Sequence, residues 1–131
     1  MSRSAGPSAA VRRVVWDRDG GACAWCGQAV SPGWHSLQHR RARGMGGTRR
    51  RESNGPANLV LVHGSGTTGC HGWIEAHPRE AERRGFRLRQ LADPEVVPVL
   101  YAGAVWVRLD GGGGWTAVSD LQGTGTGDGR Y

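Results

Sequence analysis

The chain has 131 residues, one domain's worth, and with 37% hydrophobic residues and 23 glycines it can bury only a small core, so something besides apolar burial must help to hold it. No run approaches the roughly 18 apolar residues of a membrane span and no apolar signal segment follows Met1, so the expectation is a cytoplasmic protein. The net charge of +6 is unevenly spread: residues 1–51 carry ten arginines and two acids, residues 52–131 seven arginines and nine acids, so the front half presents the field that attracts phosphate polymers.

Residues 1–10 are small and polar without an apolar period and read as a flexible arm. Across 9–18, Val11, Val14 and Val15 alternate with Arg12, Arg13 and Arg18 at helical spacing, and Asp19, Gly20 and Gly21 stop the helix. The run CAWCG at 23–27 follows. Cys23 and Cys26 can grip one tetrahedral ion across a tight turn, and Gly27 supplies the positive φ such a turn often needs. A CxxC also suits a redox pair, but the βαβ surroundings of that chemistry are missing. His63 and Cys70 complete a Cys3His set suited to structural zinc, a common remedy in small domains without disulfides.

Residues 34–39 and 59–62 read as strands, the second, wholly apolar, as a buried one. The glycine- and arginine-rich stretch 40–55 between them is too polar for a core and reads as a long loop, of the kind that is functional or disordered. A helix is predicted from 70 or 71 to about 84, with Pro78 set to kink or divide it and Gly85 closing it. The remainder is β-like: 96–101, 105–109 and 115–118 predict a hairpin or small meander, with Pro98 placing its strand at an edge. The expected organisation is an arm at 1–10, a core at 11–90, a β extension at 91–121 and a flexible tail at 122–131.

In order, CxxC, then QHRRARGMGG at 38–47, NLVLVH at 58–63 and CHGW at 70–73 resemble the HNH endonuclease family, in particular the small HNH proteins of actinobacteria and their phages. The likeness covers residues 11 to about 85. It implies an α+β fold on a ββα-metal core, two antiparallel strands and a helix around one divalent ion, with a separate zinc knuckle. The implied activity is metal-dependent hydrolysis of DNA phosphodiester bonds. His39 falls at the family's general base, a task an imidazole suits because it is largely unprotonated near neutral pH. Asn58 matches the asparagine that fixes the loop and orients the base through its amide. His71 matches the helix-borne ligand of the catalytic cation, which would be Mg, Mn, Ni or Zn. His71 can alternatively complete the zinc set, with Cys70 a bystander.

Two residues depart from the family's pattern. Gln38 stands where a His or Asp usually supplies the cation's second ligand, and a carbonyl binds a hard cation without bringing charge. Glu75, one helical turn beyond His71, faces the same way and can add a carboxylate. His63 replaces a usual cysteine of the zinc set. Arg40, Arg41, Arg43, Arg49, Arg50 and Arg51 flank a glycine-rich turn beside His39 and are expected to contact the phosphates of double-stranded DNA. Phage packaging and restriction are the settings the likeness suggests. The alternative is a zinc-stabilised DNA-binding module with a decayed nuclease centre, for which Gln38 is the best argument. His35 and His77 take no role in the likeness and read as surface and helix-packing residues.

Overall fold

The computed structural model describes residues 6–42 and 51–119; the start of the expected arm and the tail at 122–131 lie outside the described residues. The elements are α1 (Ala9–Asp19), β1 (His35–His39), two 3-10 turns (Arg51–Asn54 and Pro56–Asn58), β2 (Leu59–His63), α2 (Gly69–Ala76), α3 (Pro78–Arg83), β3 (Val99–Tyr101), β4 (Val105–Leu109) and β5 (Trp115–Ala117). This is a small mixed α+β domain. No helix among the described residues is long and apolar enough to cross a membrane.

Ser8 caps α1 by accepting the Val11 N–H at 3.1 Å, so the helix begins at Ala9 as its period predicts and takes in the last two residues of the stretch expected as an arm. Gly20, left-handed at φ 66°, ends it where the Asp-Gly-Gly run predicts. β1 and β2 then pair antiparallel, from His35 opposite His63 to His39 opposite Leu59. Leu59, Val60, Leu61 and Val62 are fully buried because α1 and α2 both pack against β2, which accounts for its unbroken apolar run.

A two-stranded sheet leaves β2 with a second edge whose polar groups need partners. Side chains and the knuckle supply them. Arg18 Nη2 donates to the Leu59 carbonyl at 2.6 Å, Asp19 Oδ2 accepts the Leu61 N–H at 3.0 Å, and the Ala24 N–H donates to the Leu61 carbonyl at 2.7 Å. Arg18 and Asp19 pair at 2.9 Å, and the Tyr101 hydroxyl donates to Asp19 at 2.8 Å. Burial, reinforced by the Asp19 charge, raises the Tyr101 pKa, so the phenol keeps the proton it donates.

The predicted long helix divides at His77. α2 stops at Ala76, and Pro78 opens α3, where a missing N–H leaves no helical bond unmade. The C-terminal strands form a meander in the order β3-β4-β5, with β3 at an edge as Pro98 predicts. They are not a separate layer. Val99, Val107 and Leu109 belong to the same buried cluster as Val15, Leu61, Ile74 and Phe86, and β3 is tied on by Leu100 N–H to the Arg84 carbonyl at 2.8 Å. One buried core thus runs through the segments on both sides of residue 90.

Arg40 joins them. It is 1% exposed, and its guanidinium donates to the carbonyls of Gly85 at 2.8 Å, Ala57 at 2.9 Å, Pro94 at 2.8 Å and Val97 at 2.6 Å. Burial foremost, with a smaller push from Arg18, lowers its pKa to about 10, so it remains a cation at neutral pH. Each carbonyl left buried without its donor costs about 1–3 kcal/mol. Arg40→Leu is therefore expected to lower the Tm by at least about 10 °C in calorimetry. Arg40→Lys should recover little of it, because one ammonium does not reproduce the planar fork.

Candidate metal centre and adjoining cleft

The four predicted zinc ligands come from three elements. Cys23 and Cys26 sit in the turn after α1, where Gly27 adopts φ 84° and its N–H donates to the Cys23 carbonyl at 2.7 Å. His63 is the last residue of β2, and Cys70 lies in the first turn of α2. Their ligand atoms all lie within 4.8 Å of one another. His63 Nδ1 is 3.4 Å from Cys26 Sγ and 3.8 Å from Cys70 Sγ. Zinc bonds of about 2.3 Å to sulfur and about 2.0 Å to nitrogen place tetrahedral ligands roughly 3.5–3.8 Å apart, so the two His63 separations already suit a zinc-like ion and the widest pair needs to close by at most about 1 Å.

The protonation pattern agrees with that fit. His63 Nε2 lies 3.0 Å from the Ala29 carbonyl, which can only accept, so the ring proton sits on Nε2 and the Nδ1 lone pair faces the sulfurs. Burial, and then the neighbouring Cys23 and Cys26, push the Cys70 thiol up to about 12. Three thiols this close do not all ionise without a cation to replace their protons. The choice left open in the sequence is resolved here: Cys70, not His71, joins the cluster.

His71 turns instead toward a cleft of about 430 Å³ that is also lined by Gln38, His39, Glu75, Arg87 and Arg89. Consecutive helical residues diverge by about 100°, which lets Cys70 and His71 serve different places. Ser36 orients the ring. Its hydroxyl donates to the Gly64 carbonyl at 2.7 Å, so it must accept from His71 Nδ1, also at 2.7 Å. The His71 Nε2 lone pair is thereby aimed at Glu75 Oε2, 3.3 Å away. Burial lowers the His71 pKa, opposed by Glu75 and aided by His39. A neutral imidazole nitrogen and a carboxylate oxygen facing each other are two acceptors in want of a shared cation or proton.

Gln38 is 2% exposed and its Nε2 donates to the carbonyls of Phe86 at 2.7 Å and His39 at 2.9 Å. Its Oε1 is buried with no hydrogen-bond partner, in a residue that lines the cleft. His39 also lines the cleft and has Nε2 2.8 Å from Asn54 Oδ1.

Several expectations need correction. Asn58 does fix the loop, but its amide does not touch His39. It is fully buried, accepts the Arg41 N–H at 2.7 Å, and donates to the carbonyls of Arg41 at 3.0 Å and Ser53 at 2.9 Å. Arg40 and Arg41 are not phosphate contacts. Both are buried, Arg40 on four carbonyls and Arg41 with Nη1 on the Ala92 carbonyl at 2.8 Å. Arg43, Arg49 and Arg50 lie outside the described residues, and Arg51 opens the first 3-10 turn. Besides the buried Arg40, the cleft is lined by two exposed arginines, Arg87 and Arg89, which follow α3 in no motif. Ser36 was recoverable from strand period, two residues before Gln38 on the same face. Asn54 carried no such signal. His35 packs edge-on against Trp16 at 5.1 Å, and His77 stacks on Trp73 at 3.7 Å.

No family model, curated protein or solved structure matches this chain. The metal centre makes its own prediction. Metal analysis of purified protein is expected to find about one zinc per chain, reduced in Cys26→Ser, and chelation should lower the Tm by at least about 10 °C. His71→Ala should keep its zinc.

Proposed function

We propose that the chain is a metal-dependent DNA endonuclease of the HNH type, in which β1, β2 and α2 form a ββα-metal core. One observation carries the reading: His39 lines the same cleft as His71, whose bare Nε2 faces the Glu75 carboxylate. His71, Glu75 and the Gln38 carbonyl would hold a divalent cation; when bound, such an ion coordinates the scissile phosphate and offsets the charge of the transition state and departing 3′-oxygen. His39 takes a proton from the attacking water. The resulting hydroxide bonds to phosphorus as the bond to the 3′-oxygen breaks, and solvent protonates that oxygen, leaving a 3′-hydroxyl and a 5′-phosphate. Arg87 and Arg89 contribute phosphate contacts that set affinity and register with little sequence information.

The supporting geometry extends beyond the reacting groups. Ser36 fixes the His71 ring through Gly64, the residue after the zinc ligand His63, so the zinc cluster stabilises the very turn that orients the ring. A second reading, a DNA-binding module with a decayed centre, is favoured by Gln38, which brings a carbonyl where charge would hold the cation harder.

Supercoiled plasmid incubated with Mg, Mn, Ni or Zn ions separates the two. A nuclease nicks the plasmid, and His39→Ala slows it by about 10²- to 10⁴-fold without weakening DNA binding. If the wild type nicks no faster than His39→Ala in every metal yet still binds DNA, the module reading holds, and Gln38→His should then raise cleavage sharply.

A further inference from the structure

We infer that Asn54, a residue of the first 3-10 turn, is the positioning residue of the base: its amide oxygen fixes His39 as the Nε2–H tautomer and leaves Nδ1 to accept the proton. The inference rests on the nuclease reading for its function, but the contact stands apart from it. Asn54 Oδ1 lies 2.8 Å from His39 Nε2. A carbonyl-type oxygen only accepts, so the ring nitrogen facing it carries hydrogen, and a neutral imidazole then has its lone pair on the other nitrogen.

The residue expected to do this work is fully engaged elsewhere. Asn58 spends its oxygen on the Arg41 N–H and its nitrogen on the carbonyls of Arg41 and Ser53. Those two anchors are informative. Arg41 is two residues past His39, and Ser53 immediately precedes Asn54, so the buried Asn58 clamps together the two backbone segments that present the ring and the amide. The Arg40 N–H adds a bond to the Asn58 carbonyl at 2.8 Å. The division of labour is an inner amide that holds the backbones and an outer amide that holds the ring.

Histidine nitrogens of the full-length, zinc-loaded protein report the tautomer directly. The spectra are taken by 15N NMR at about pH 8, above the ordinary histidine range, with no other divalent cation added. In the wild type, Nε2 of His39 should resonate as a protonated nitrogen and Nδ1 as a bare one. Asn54→Ala should mix the two forms and lower kcat for plasmid nicking by about 10- to 100-fold while changing KM less than about twofold. Asn54→Asp keeps an acceptor in place and should retain the wild-type signature, and it carries the comparison if Asn54→Ala does not fold. A wild-type His39 protonated on Nδ1, or a signature unchanged in Asn54→Ala, overturns the inference. The predicted signature in a protein that cuts no DNA overturns the nuclease reading and leaves the positioning role standing.

Discussion

The satisfaction of β2's outer edge is the constraint on which the rest of this domain depends. A strand buried on both faces in so small a protein has no water to complete its hydrogen bonding, and only one neighbouring strand. The chain meets the requirement with an ion pair at the end of α1 and with the backbone of the cysteine turn. That solution locates both candidate sites. The residue before β2 is Asn58, which organises the backbone around His39, and the last residue of β2 is His63, a member of the Cys3His cluster. Moving β2 by one residue would exchange its faces and dismantle both.

The cluster and the cleft are coupled through the stretch from Gly64 to His71. Gly64 takes φ 85°, and a Cβ there would lie 2.1 Å from the Thr68 carbonyl oxygen, so the turn closes only because that side chain is absent. Its carbonyl receives Ser36, and its far end begins α2. A metal held by Cys70 and His63 would fix the azimuth of α2, and with it the direction in which His71 looks. The candidate metal cluster and the candidate catalytic pair are thus neighbours in sequence but separated by about 100° of rotation about a helix.

What could be read from the amino acids follows a physical division. The apolar run of β2, the Asp-Gly-Gly stop and the ligand spacing were legible, because local conformation and metal geometry are encoded over a few residues. The convergence of His39, His71 and Glu75 on one cleft was legible only through resemblance. Arg40 and Arg41 misled for a specific reason. An arginine beside glycines has the chemistry of a phosphate ligand, but backbone carbonyls present the same acceptor chemistry, and which of the two it meets is decided by segments far along the chain. Asn54 was illegible for the converse reason: nothing in a turn asparagine reveals that a ring will arrive opposite it.

Arg40 also bears on the order in which the molecule can be made. Its four carbonyl partners lie 17 to 57 residues downstream, so the guanidinium has no complete shell until Val97 has left the ribosome. A nascent chain that already displays His39 and His71 still lacks the segment that seals the floor beneath them. Assembly of the cleft therefore waits on residues 85–97, although His39 and His71 precede them in the chain.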